Sequence, residues 1–502
     1  MSTITINHLT FAYPGQDDIF TDQSITLDTS WHLGLTGRNG RGKSTLLNLL
    51  RGQLTGTGSI NVPVPVTYFP QPVRDTSRDA WMVIDDITTS ETWMVERELT
   101  LLGVPSDTLY RPFDSLSGGE QTKLLLAVLF ADNTSFPLID EPTNHLDHAS
   151  REQVATYLNG KRQGYIVVAH DRDFLNAVTD HTLAIEKQGI TLMQGNFATY
   201  TQTKDAQDQR EQAEQSQLRK DIGRLQATAR AKRDWSGNRE ADKHGNRHVK
   251  GSTQGDGTIA DKGFITARAA RTMKKAKHLE HRMDDEIAAK EKLLQNVEYI
   301  EPLHMLYTPD HHDVLITVRN LSLSYGDQPL FAPVSFTVKR GEQVAVVGPN
   351  GAGKTSLIRA LQGNFAGHVD GEITVVQSAQ ASHVRQLFPD NRGLLGDFAE
   401  QRGVDYQELL RNLKQLGVER SVFAVPIEQM SAGQQKKVEL AASLATPTGL
   451  YVWDEPLNYL DVFNQDQLID VINSVQPTML LTEHDQHFID AVATKVITLQ
   501  PA

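Results

Sequence analysis

GRNGRGKST, beginning at Gly37, and GPNGAGKTS, beginning at Gly348, decide how the rest of the chain is read. Both carry the spacing G-x-x-x-x-G-K-[S/T]: Gly37, Asn39, Gly40, Gly42, Lys43, Ser44 and Thr45 in one, Gly348, Asn350, Gly351, Gly353, Lys354, Thr355 and Ser356 in the other. Glycines let backbone N–H groups surround phosphate oxygens, because no Cβ blocks the approach. Each stretch follows a short apolar run ending in glycine (WHLGLTG, EQVAVVG) and opens a helical pattern (KSTLLNLLRG, KTSLIRALQG). The order is therefore strand, phosphate loop, helix.

Outward from these loops the sequence repeats itself. LSGGEQTKLLLA from Leu116 answers MSAGQQKKVELA from Met430, LIDEPTNHLD from Leu138 answers VWDEPLNYLD from Val452, and VVAHDRDFL from Val167 answers LTEHDQHFI from Leu481. The offset is 311 between Lys43 and Lys354, and 314 for Ser117/Ser431, Asp140/Asp454 and His170/His484. One order at nearly one spacing means two homologous domains, residues 1–200 and 301–502, with residues 201–300 between them. GYIVVAH and GLYVWDE are continuous apolar runs, as buried parallel strands have; SFPLIDE is interrupted by Pro137. The expected fold class is α/β: two tandem P-loop domains, each a parallel sheet covered by helices, with ligands at the strand carboxyl ends.

The middle differs. From about Gln202 to Arg233 it is polar, proline-free and dense in helix formers; residues 236–263 are glycine-rich; helical composition returns from about Phe264 to Val297. This predicts a long α-helical hairpin linker with its loop tip near 236–263. Roughly thirty residues of helix reach ~45 Å. So polar a hairpin cannot bury itself and is expected to be an arm that meets something else.

Charge points the same way. The whole chain carries −13, which by itself argues against nucleic acid, yet residues 215–282 hold 17 Lys/Arg against 7 Asp/Glu. A basic segment in an acidic protein suggests a polyanion partner at one place. With no cysteine there is no disulfide and no thiolate metal site, which fits a cytoplasmic protein. No run of 18 apolar residues exists and the N-terminus lacks leader features, so neither membrane span nor signal peptide is expected.

The motifs supply a chemistry. Lys43 and Lys354 would pair with β/γ-phosphates, and Ser44 and Thr355 would ligate Mg²⁺. Asp140 and Asp454 end apolar runs, as aspartates of the Mg²⁺ shell do. Glu141 and Glu455 follow directly and could polarise an attacking water as general bases. His170 and His484 could hydrogen-bond the γ-phosphate or that water. Ser117 and Ser431 could cap helices and offer donors to an anion.

Taken together, the two phosphate loops, the glutamine in YFPQ (Gln71), LSGG, the DEP runs, HLD and YLD, and the two histidines resemble the ATP-binding-cassette ATPases, over both outer domains. The resemblance implies head-to-tail pairing of the two cassettes within one chain, with ATP and Mg²⁺ between them. One site would use Lys43, Ser44, Gln71, Asp140, Glu141 and His170, closed by Ser431, Gly433 and Gln434. The other would use Lys354, Thr355, Asp454, Glu455 and His484, closed by Ser117, Gly118, Gly119 and Glu120. Tyr13 and Tyr325 fit the aromatic that stacks on adenine, and equally a core tyrosine.

Tandem cassettes with a charged helical linker resemble the ABC-F subfamily, as does the approach to that linker, GNFATYTQTK from Gly195. About 45 residues separate Gln71 from Ser117, and 18 follow His484, which resembles the Lsa/Vga-like antibiotic-resistance group. That implies an ATPase on the bacterial 70S ribosome, whose linker displaces P-site tRNA and dislodges lincosamide, streptogramin A and pleuromutilin drugs near the peptidyl-transferase centre of 23S rRNA. A basic hairpin suits RNA, and Trp235, Arg239, Lys243, His244, Arg247, His248 and Lys250 at its tip are the contact candidates. Three departures are visible. Ala432 replaces a signature glycine, so the site it closes is expected to close or hydrolyse differently. Glu120 replaces a glutamine. In VVQSAQ the second Gln loop falls on Gln377 or Gln380, and alignment with VTYFPQ favours Gln380. The alternatives are a housekeeping translation or ribosome-assembly factor, a transporter motor on a membrane subunit and a DNA-associated ATPase; neither membrane nor DNA is the expected partner.

Overall fold

The computed structural model describes residues 2–15, 17–144, 146–186 and 189–207, a few positions between 209 and 227, and residues 301–502 apart from 327 and 377–380. The tip candidates Trp235, Arg239, Lys243, His244, Arg247, His248 and Lys250, and Gln380, lie outside the described residues. Met1–Tyr200 and Ile300–Ala502 form one compact unit, and Thr201–Tyr299 form another. In the second unit, residues 201–207 are helical.

Each half of the first unit is built on a mainly parallel sheet. In the N-terminal half its spatial order is Val66–Phe69, Phe136–Asp140, Tyr165–Val168, His32–Gly37, His181–Glu186 and Gly189–Gln194. The first five strands are parallel and the last is antiparallel. In the C-terminal half the order is Ala381–Val384, Leu450–Asp454, Met479–Thr482, Gln343–Val347 and Lys495–Thr498, all parallel. A smaller antiparallel sheet accompanies each, centred on Thr3–Phe11 and on Val314–Tyr325.

The apolar runs become strands because both sheet faces are covered. In Tyr165–Val168 all four residues are buried. Tyr165 and Val167 pack on the helices of one face, Ile166 and Val168 on the antiparallel sheet side. Leu450–Asp454 divides likewise: Tyr451 and Trp453 on one side, Leu450 and Val452 on the other. Pro137 does not break Phe136–Asp140. Pairing with Tyr165–Val168 begins only at Leu138, so the proline sits at the strand start, where a missing N–H costs little. Val462, from the C-terminal half, is buried in a cluster otherwise drawn from residues 69–200, so the two halves share a core contact.

The approach to the second unit is anchored here as well. Phe197 and Tyr200 are buried in the same cluster, and the Tyr200 hydroxyl donates to Glu186 at 3.0 Å.

A buried carboxylate ties three elements of the C-terminal half. Glu439, 1% exposed, accepts from Arg385 Nε at 2.7 Å, from Asn391 Nδ2 at 2.7 Å and from Arg402 Nη2 at 3.3 Å. Glu439→Ala removes the buried acceptor shared by two guanidinium groups and an amide and should cost about 3 kcal/mol, read as a lower urea midpoint. Glu372→Ala, which removes the exposed pair with Arg319, should cost less than about 1 kcal/mol in the same measurement.

Candidate nucleotide sites

Lys43 starts the helix Lys43–Leu50 directly after Gly42, which has φ 96°. That backbone suits glycine, and a Cβ there would also meet Ile19 Cγ2 at 2.5 Å. The turn aims the unpaired N–H groups of the helix start and the lysine at one place. Lys43 Nζ is buried and donates to the Gly37 carbonyl at 2.7 Å and to Asn39 Oδ1 at 3.2 Å. Burial pulls its pKa down, against the pull of Asp461, Glu141 and Asp140. Gly353 repeats the turn with φ 87°, and Lys354 Nζ donates to the carbonyls of Gly348 at 2.8 Å and Pro349 at 3.0 Å.

The acids stand at the carboxyl ends of the central strands. Asp140 Oδ2 accepts from Ser44 at 3.2 Å and from the Tyr68 hydroxyl at 2.9 Å. Glu141 has φ 54°, and its N–H donates to Val168 O at 2.8 Å, which turns its side chain out of the sheet. Glu141 Oε1 lies 3.2 Å from His170 Nε2 without alignment for a hydrogen bond. Burial, helped by Asp140, pushes Glu141 up to about 8, and burial with Lys43 brings His170 down to about 3.

The second site holds its acid more tightly. Asp454 accepts from Thr482 Oγ1 at 2.6 Å and from the Thr355 hydroxyl, and burial raises its pKa. Glu455 Oε2 accepts from Gln386 Nε2 at 2.9 Å and from Asn458 Nδ2 at 2.8 Å, with His484 Nε2 3.6 Å from Oε1. Burial would raise Glu455, but His484, Asn458 and Lys354 outweigh it and hold the carboxyl at about 2.

The two halves meet across these loops. The N–H of Asn39 donates to Asp461 Oδ2 at 2.7 Å, and Asn39 Nδ2 donates to Tyr459 O at 3.0 Å. The mirror contact joins the N–H of Asn350 to Asp147 Oδ2 at 3.3 Å. Gln465 Nε2 donates to His170 O at 3.2 Å. A cleft of about 550 Å³ is lined by Tyr13, Asn39, Gly40, Gly42, Lys43, Ser44, Thr45, Asp140, Glu141 and His170 from one half, and by Ser431, Gly433, Gln434 and Lys437 from the other.

The remaining expected residues fall as follows. Ser117 and Ser431 each form a capping box, with Glu120 and Gln434, at helix starts whose first residues are Gly118–Gly119 and Ala432–Gly433. Ala432 is exposed. Tyr325 is half-exposed, its ring centre 4.9 Å from that of Phe365. Gln71 is turned from the cleft, with Nε2 on Leu125 O at 3.2 Å. The buried atoms Gln71 Oε1, Glu141 Oε1 and His484 Nε2 lack hydrogen-bond partners. Orphaned polar atoms beside a buried lysine and a hydroxyl–carboxylate pair fit a nucleoside triphosphate with Mg²⁺.

The family model for the ABC transporter domain matches residues 20–144 and 331–458. The chain belongs to the ABC transporter family. Among its relatives are the ribosome protection protein VmlR of Bacillus subtilis, 26% identical over 99% of this chain and 86% of that one. Another is the erythromycin resistance ATP-binding protein MsrA of Staphylococcus epidermidis, 29% identical over 92% and 91%. A solved complex of the archaeal ribosomal stalk protein aP1 with the ribosome recycling factor aABCE1 shares the fold at TM-score 0.61 and 19% identity, over 94% of this chain and 83% of that one.

One candidate residue was not singled out from the sequence. Gln386 follows the strand Ala381–Val384 as Gln71 follows Val66–Phe69. The expectation had fallen on Gln380, outside the described residues. The separation of Gln71 and Gln386, 315, nearly the offset of the other motifs, was the available signal. Asp147 and Asp461 were visible only as the ends of HLD and YLD. We propose Gln386 as the second Gln-loop residue. Gln386→Ala in a Glu141→Gln background should lower ATP turnover about tenfold or more, with ATP affinity kept within about threefold. Unchanged turnover there removes Gln386 from the role.

Proposed function

We propose that the chain is an ABC-F ATPase that binds the bacterial ribosome when ATP closes its cassettes. The single observation that carries the ATPase reading is the shared cleft, in which the phosphate loop of one cassette faces the signature motif of the other. In this reading Lys43 and Lys354 hold the β/γ-phosphates, and backbone N–H groups of the loops cradle them. Ser44 with Asp140, and Thr355 with Asp454, would hold Mg²⁺, which supplies charge neutralisation at the phosphates when bound. Glu141 and Glu455 orient the attacking water and take its proton, while His170 and His484 steady it from the switch side. Tyr13 and Tyr325 complete the nucleotide contacts, and Gln71 joins them on turning from Leu125 towards the cleft, with Ser117, Gly118, Gly119 and Glu120 closing the second site.

The ribosome is proposed from two supports: the basic linker and the name of VmlR, a ribosome protection protein. In its finer form the linker, residues 201–300, acts near the peptidyl-transferase centre. There it displaces P-site tRNA and drugs of the lincosamide, streptogramin A and pleuromutilin type, as in the Lsa/Vga-like group.

Glu141→Gln with Glu455→Gln should slow hydrolysis by orders of magnitude while ATP binding persists. That protein should pellet with 70S ribosomes in ATP and not in ADP. ATP binding without pelleting rejects the ribosome as partner. Replacing residues 236–263 by a short Gly/Ser loop should keep ATPase activity and abolish drug protection of a susceptible strain. Full protection after that replacement rejects the tip as the acting element.

A further inference from the structure

The cleft at the first site extends beyond its phosphate-handling residues. Its lining also includes Tyr13 and Ile19 from the first cassette, and Val418, Glu419, Ser421 and Val422 from the second. About 550 Å³ is room for a whole nucleotide, so the nucleoside must meet this part of the wall. Tyr13 has its hydroxyl 3.3 Å from Thr45 Oγ1 and its ring edge-on to Phe11 at 5.1 Å, which fixes the ring. Ring, Ile19, Val418 and Val422 offer apolar surface to a base.

Among the polar groups of the opposing wall, Glu419 and Ser421 belong to the segment that carries Val418 and Val422. Both are exposed, and Ser421 Oγ donates to Glu419 Oε2 at 3.4 Å. An ionised carboxylate only accepts hydrogen bonds. The two adjacent hydroxyls of a ribose are donors that one carboxylate can take together, and such charge-assisted bonds are the strong ones.

We propose that Glu419 binds the ribose of the nucleotide held by the first cassette, a contact made in trans from the second. This rests on the ATP reading above. Because the contact exists only when the cassettes are apposed, it makes their pairing depend on the sugar. The position 314 residues before Glu419 is Pro105, and Asp107 stands where Ser421 does, so the carboxylate of the matching segment in the first cassette sits two residues further on.

The test uses the Glu455→Gln protein, in which only the first site turns over. Three nucleotides are compared: ATP, 2′,3′-dideoxy-ATP and the triphosphate of purine riboside, which lacks the exocyclic amine. Loss of a hydrogen bond to a charged acceptor should lower kcat/KM about tenfold for dideoxy-ATP. Adding Glu419→Ala should lower kcat/KM for ATP by a similar factor and leave dideoxy-ATP unchanged. Equal losses for ATP and dideoxy-ATP overturn the proposal, as does a parent protein that treats the two alike. Non-additivity with purine riboside triphosphate instead assigns Glu419 to the base and also overturns it. The same comparison is made by equilibrium binding to the Glu141→Gln/Glu455→Gln protein, which needs no turnover. Absence of ATP hydrolysis in the unsubstituted protein is then a failure of the catalytic reading, distinct from a missing ribose effect.

Discussion

Two aspartates join the nucleotide sites, and each is committed on both oxygens. Asp461 Oδ1 caps its own helix by accepting from Asn464 N at 2.9 Å, while Oδ2 accepts from Asn39 N in the other cassette at 2.7 Å. Asp147 does the same with Ser150 N at 2.9 Å and Asn350 N at 3.3 Å. A helix start favours an anion, and a carboxylate accepting N–H bonds is a strong partner. The phosphate loop of one cassette is thus registered against a helix of the other. Neither loop can shift on taking up a nucleotide without straining a cap across the interface. The shared cleft, the facing signature motif and the trans wall at Glu419 all follow from that registration.

The pairing is pseudo-symmetric, and its departures are chemical. Asp461 is 1% exposed, and although burial would raise its pKa, Lys437 and the N–H of Asn39 outweigh it and hold it low. Glu455 is gripped by two amide donors, whereas Glu141 lies between His170, Lys43 and Asp140 and is pushed up by burial, helped by Asp140. Ala169 precedes His170, but the buried Glu483 precedes His484 and accepts from the N–H of Leu457 at 3.3 Å. The acid of the second site is therefore oriented by hydrogen bonds, whereas Oε1 of Glu141 in the first has no such partner.

How legible this was depended on the kind of signal. Strands such as Tyr165–Val168 were readable because covering both faces makes every position apolar. The strand Ala381–Val384 was not: Ser382 is buried but satisfied by Ser443, and His383 is half-buried beside Gln362. A strand whose buried positions are polar has no apolar pattern to read. That is why the sequence places the second Gln loop on a local similarity to VTYFPQ, at Gln380, which lies outside the described residues. Pro137 misled in the opposite direction, since sequence does not show which neighbour begins pairing where.

The sequence by itself determined the duplication and the pattern of glycines, lysines, acids and histidines repeated in both halves. These depend on contacts short in sequence, where spacing alone fixes the chemistry. Only the tertiary structure decided which residues meet across the pair: Asn39 with Asp461, Gln465 with the carbonyl of His170, and Glu419 with the cleft that Lys43 lines. Those partners lie hundreds of residues apart. No local pattern encodes them, because they exist only once two folded cassettes present complementary donors and acceptors to one another.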